Sequence, residues 1–103
     1  MLVRISEPDR PAFLLRKGEE GISVFDLEAV QPPLMESEIL NNFRTGSLAI
    51  SRSLTEIEAK GLQVVPVFGA ATLAQRLREA HAEIRPGPAM TRAQFKKALK
   101  ELE

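Results

Sequence analysis

The chain has 103 residues, 44% of them hydrophobic, and its 14 Lys+Arg balance its 14 Asp+Glu. That composition supports one cored domain and excludes a highly charged, disordered chain. The absence of cysteine excludes a disulfide framework, a thiolate metal site and a cysteine nucleophile, and a single histidine excludes a multi-histidine zinc site.

In chain order, Leu2–Ser6 alternates and reads as a strand. Ala12–Arg16 and Ile22–Leu27 are two further strands, and the glycines of Lys17-Gly18-Glu19-Glu20-Gly21 suit a hairpin loop between them. In an extended Ile22-Ser23-Val24, Ser23 points opposite its apolar neighbours. Pro32-Pro33 interrupts regular structure. Glu36–Phe43 reads as a short helix with Ile39, Leu40 and Phe43 on one side, and Gly46 is placed to end it. Ser47–Ser51 reads as a strand.

Ser53-Leu54-Thr55-Glu56 is a capping box that opens a helix ending at Gly61. The valine-rich Leu62–Phe68 reads as a buried strand, with Pro66 pointing to an edge or a bulge. Ala71–Ala80 is a helix with Leu73 and Leu77 four apart. His81–Arg85 fits either its continuation or a short strand. Pro86-Gly87-Pro88 is a second breaker. A second capping box, Thr91-Arg92-Ala93-Gln94, opens an amphipathic helix with Phe95, Ala98, Leu99 and Leu102 inward. The sum is a mixed α+β domain, residues 1–103, with about five or six strands and three or four helices.

The neutral total conceals an asymmetry. Residues 1–70 carry 7 basic and 10 acidic side chains, and residues 71–103 carry 7 basic and 4 acidic. A basic C-terminal segment attracts phosphate, but Lys96, Lys97 and Lys100 also fit the wet face of a helix. Without tyrosine or tryptophan to stack bases, a nucleic-acid partner is disfavoured. The longest nearly apolar run, 64–71, is far short of the ~18 residues of a membrane span, so no membrane partner is expected. Residues 1–7 hold no apolar signal core. The expected location is cytoplasmic, with export by a route needing no cleaved signal left open.

Walker, GxGxxG and GxSxG patterns are absent. Gly69 and Ser51-Arg52-Ser53 lie at strand-to-helix junctions, where anions often bind, but a turn and a cap account for them. His81 alone has an unperturbed pKa near neutrality, which makes it the candidate for acid–base work. The pairs Glu19-Glu20, Glu36/Glu38 and Glu56/Glu58 fall in a turn or at helix starts and make no acid–base pair.

Three segments, covering about a third of the chain in matching order, resemble a family. Gly21-Ile22-Ser23-Val24-Phe25-Asp26 is similar to the Gly-x-Ser-Val-Phe-Asp stretch of small bacterial type VI secretion effector toxins with an ADP-ribosyltransferase-like fold. His81-Ala82-Glu83-Ile84-Arg85-Pro86, followed by Met90, resembles their His-x-x-Ile-x-Pro…Met stretch, and Leu2-Val3-Arg4 resembles their first-strand Leu-x-Arg. Ile22 stands where the family has threonine. The resemblance implies a split sheet, two small facing halves with a ligand cleft between them, and His81–Arg85 as a strand. It implies NAD as substrate, with Arg4 on the diphosphate and Ser23 on the nicotinamide. Glu83 or His81 would assist ribose transfer, Glu83 by its strand position alone. The implied partners are a protein target and a cognate antitoxin or immunity protein. The alternative is a non-catalytic interaction or regulatory domain whose C-terminal helix docks in a partner's groove or closes its own core.

Overall fold

Side-chain alternation along the strands gives the central sheet two covered faces. The computed structural model describes all 103 residues. The strands are β1 (Leu2–Ser6), β2 (Ile22–Asp26), β3 (Leu48–Arg52), β4 (Gln63–Pro66) and β5 (His81–Arg85). The helices are α1 (Glu36–Leu40), α2 (Leu54–Ala59), α3 (Gln75–Ala80) and α4 (Arg92–Lys100). All strands join one antiparallel sheet in the order β3-β1-β2-β5-β4, an α+β architecture.

On the first face, Leu2, Ile22, Val24, Ala82 and Ile84 pack against Ile57 of α2 and against Phe95, Ala98 and Leu99 of α4. On the second, Val3 and Phe25 pack with Ile39 of α1 and with Leu77 and Ala80 of α3. The apolar face of α4 therefore closes the protein's own core. Lys96, Lys97 and Lys100 lie on its wet side. That arrangement removes the motive for docking α4 in a partner's groove. No helix is long and apolar enough to cross a membrane.

Both capping boxes form. Ser53 Oγ accepts from the Glu56 amide at 3.0 Å and Thr91 Oγ1 accepts from that of Gln94 at 3.1 Å. The Glu56 and Gln94 side chains return the bond to the cap amides. Pro66 lies on β4, an edge strand, where its missing donor costs no ladder bond. β5 follows α3 without a loop, so His81–Arg85 is a strand, inserted between β2 and β4.

Four segments depart from their sequence reading. The first, 62–68, reads as a buried strand but forms only the edge strand Gln63–Pro66, with Val64 and Val65 half-buried and its two ends exposed. Residues 12–16 form no strand, so no hairpin links them to β2. Ala12, Phe13 and Leu15 are all buried, and two consecutive buried side chains break strand alternation. The segment instead crosses the first face as a strap. Its polar backbone is satisfied by distant side chains rather than by a ladder. Glu103 accepts from the amides of Ala12 (2.9 Å) and Phe13 (2.6 Å), and Arg92 donates to the carbonyls of Glu19 (2.7 Å) and Arg16 (2.9 Å). Helix α1 ends at Leu40, and Phe43 lies in the turns that follow. Helix α3 begins at Gln75, with turns before it.

The sheet is single, where the resemblance implied two facing halves, but it carries a split. β1 pairs with β3 along all five residues. Against β2 it pairs only at Leu2↔Asp26 and Val3↔Phe25. Beyond those pairs the two central strands part, and the opening positions the candidate site.

Candidate ligand cleft at the split

Arg4 lies where β1 leaves β2. Its Nε donates to the Ala12 carbonyl at 2.9 Å and its Nη1 to the Ser23 carbonyl at 3.1 Å. The guanidinium thus ties strap, β1 and β2 together in place of the missing ladder bonds. Burial pulls its pKa below the ordinary value, opposed by the field of Glu19. Nη2 makes no hydrogen bond within the protein.

Ser23 is the exposed residue of β2, as alternation requires, and its hydroxyl lies on the second face. His81 pairs with Phe25 across β2 and β5 and shares that face. The two rings meet edge-on at 5.6 Å. His81 Nδ1 lies 2.7 Å from the Val67 carbonyl oxygen. A carbonyl only accepts, so Nδ1 carries the hydrogen and Nε2 keeps its lone pair in the neutral ring. Phe43 closes the aromatic row, edge-on to Phe25 at 6.0 Å. Arg4, Ser23, Phe25, Phe43 and His81 line one cavity of about 230 Å³.

Glu83 stands apart from that lining. It faces Ser23 directly across β2 and β5. Its Oε1 accepts from both Nε (3.0 Å) and Nη2 (2.9 Å) of Arg85, two residues along the same strand face. Three of the four sequence-derived residues therefore meet at one cavity, and the fourth is their neighbour, committed to an ion pair.

A second cavity of about 290 Å³ shares Arg4, Ile5 and Phe43 with the first. Arg10, Arg16 and Arg44 line it too, with Glu7 the lone carboxylate. Sequence reading missed these arginines, because they are scattered singly through the half of the chain with the acidic balance. It also missed Phe43 as a cleft residue by placing it on a helix. No group of three or more His, Asp or Glu side chains is placed to hold a metal ion. No protein-family model, curated protein or solved structure matches the chain.

Proposed function

We propose that this domain binds NAD as a substrate in the manner of ADP-ribosyltransferase-like toxins. The observation that carries the reading is the meeting of Arg4, Ser23 and His81, from three different strands, at the cavity where the sheet splits. A flat nicotinamide ring suits the edge-on row of Phe43, Phe25 and His81, and the Ser23 hydroxyl suits its carboxamide. The Arg4 guanidinium suits the diphosphate.

In the proposed reaction the bond between ribose C1′ and the nicotinamide nitrogen breaks. Nicotinamide leaves with the electron pair. The oxocarbenium-like ribose is captured by a nucleophile of a macromolecular target, or by water. His81 Nε2 is the group free to take the nucleophile's proton. Glu83, paired with Ser23 across the strands, is the carboxylate that would balance ribose charge. A protein target and a cognate immunity protein belong to this reading.

Calorimetric titration with NAD tests it, using wild type and Ser23→Phe. Ser23 is exposed, so the larger ring fills the cavity without disturbing the core. Saturable binding that Ser23→Phe abolishes supports the reading, and absence of heat at millimolar NAD contradicts it.

The ion pair of Glu83 with Arg85 favours a second version, in which the domain binds NAD without turning it over. Nicotinamide release separates the two: release that falls on Glu83→Gln supports catalysis, and binding without release supports the binding-only version.

A further inference from the structure

The basic cavity outside the split has properties of its own. Arg10, Arg16 and Arg44 converge there with Arg4; Glu7 is the single carboxylate of the lining, and Glu19 acts on Arg4 from beside it. Glu7 is already engaged by Arg10 at 3.3 Å, an exposed pair of the weak kind. Neither Arg16 nor Arg44 forms an ion pair.

Both unpaired side chains project from fixed backbone. The Arg16 carbonyl accepts from Arg92 Nη2 at 2.9 Å, and its amide donates to Glu19 Oε1 at 2.7 Å. The Arg44 carbonyl accepts from the Ser47 amide at 3.1 Å. Anchoring of this kind reduces the ordering cost of binding. The apolar part of the lining is also unusual: Leu14 is 47% exposed and Phe43 36% exposed. Guanidiniums select planar or tetrahedral oxyanions through paired N–H donors. An exposed ring and a leucine beside them select a flat, apolar group attached to that anion.

We infer that this cavity binds a phosphorylated ligand of the nucleotide class, its phosphates held by Arg16 and Arg44 and its base lying against Phe43 and Leu14. The site adjoins the dinucleotide cavity and shares Arg4 and Phe43 with it, but Arg10, Arg16 and Arg44 lie outside that cavity, so ADP binding that depends on Arg16 and Arg44 is read apart from NAD binding. Arg10 supplies a third cation once an anion displaces Glu7.

The test is calorimetric titration with ADP, adenosine and inorganic pyrophosphate. Wild type is compared with three variants: Arg16→Gln/Arg44→Gln, Lys96→Gln/Lys97→Gln/Lys100→Gln, and Ser23→Phe. The substituted side chains are exposed, and circular dichroism confirms folding. The site predicts that ADP binds more tightly than either adenosine or pyrophosphate. The double arginine variant weakens ADP about tenfold, as loss of charge-assisted bonds requires. The triple lysine variant leaves it unchanged, and Ser23→Phe leaves pyrophosphate binding unchanged. Absence of ADP binding overturns the inference, as does an equal loss in the lysine variant, which reports general charge attraction. ADP binding lost in the arginine variant, in a protein that ignores NAD, keeps this site and discards the dinucleotide reading. NAD binding with ADP affinity unaffected by the arginine variant does the reverse.

Discussion

The Arg4 side chain donates to the backbone carbonyl of Ser23 at 3.1 Å, at the point where β1 and β2 cease to pair. One residue thus holds the split in shape, and the same residue forms part of the cavity that the split opens. Its second bond, to the Ala12 carbonyl, fixes the strap over the first face of the sheet.

That double duty makes Arg4→Ala a poor probe of binding alone. The substitution leaves the Ala12 and Ser23 carbonyls without their partner. Loss of two hydrogen bonds from a charged donor is expected to cost about 2–4 kcal/mol of stability. Urea denaturation should show a lower midpoint. An unchanged midpoint contradicts the structural role.

The strap depends on a residue far along the chain. Glu103 accepts from the Ala12 and Phe13 amides, and no ladder backs them up. Glu103→Ala should therefore speed amide hydrogen exchange at Ala12 and Phe13 while leaving β5 protected, at a stability cost of about 1–3 kcal/mol. Uniform acceleration across the domain would show that the strap does not open by itself.

Ser53→Ala and Thr91→Ala each remove a cap and should each cost about 1 kcal/mol. The two caps serve different helices and share no partner, so the double variant should show the sum. Thermal or chemical unfolding of the three variants checks this.

Gly87 lies against the Gly61 backbone so closely that a Cβ would overlap the Gly61 carbonyl oxygen. Gly87→Ala must push the 86–88 loop away from the end of α2. A melting temperature clearly below that of wild type is expected, and an unaltered one contradicts the close approach.

Acid should loosen the contact between α1 and α3. The Arg76 side chain bonds the Glu38 carboxylate at 2.7 Å and holds the Glu38 pKa below its usual range. A lowered carboxylate pKa means the folded state favours the ionised form. Its stabilisation is present above the unfolded pKa and is lost as pH falls through the folded one. Wild type should therefore lose stability in acid with a steeper slope than Glu38→Gln. Parallel slopes would remove the pair from the account.

Legibility in the sequence followed the range of the interactions. The two capping boxes and the stripe of Phe95, Ala98, Leu99 and Leu102 are local patterns, and the helices they imply form, with Leu102 buried in the turn just beyond the end of α4. Pro66 on an edge strand is equally local in origin. The strap was misread because Ala12-Phe13-Leu14-Leu15 looks like a strand to its neighbours. Its course is set by Arg4, Arg92 and Glu103, the last 91 positions from Ala12. Phe43 left the expected helix because α1 stops before Asn42, whose side chain donates to the Glu38 carbonyl and competes with the helical backbone bond. The resemblance singles out Arg4 and Ser23, and the chemistry of its side chain also singles out His81, but nothing in their spacing announces the cavity they share. The basic cavity had no sequence signal at all. Summed charge drew attention to the C-terminal lysines, which face solvent, while four arginines of the acidic half converge in space.

The chain's single histidine allows the most direct measurement of the central claim, that the cavity at the split takes the nicotinamide end of NAD. His81 lines that cavity, so its imidazole C–H signals in a proton NMR titration report occupancy without assignment ambiguity. The account predicts a saturable shift of these signals with NAD and with nicotinamide, absent in a folded Ser23→Phe variant. His81 signals that stay fixed at millimolar NAD in the wild-type protein would contradict it.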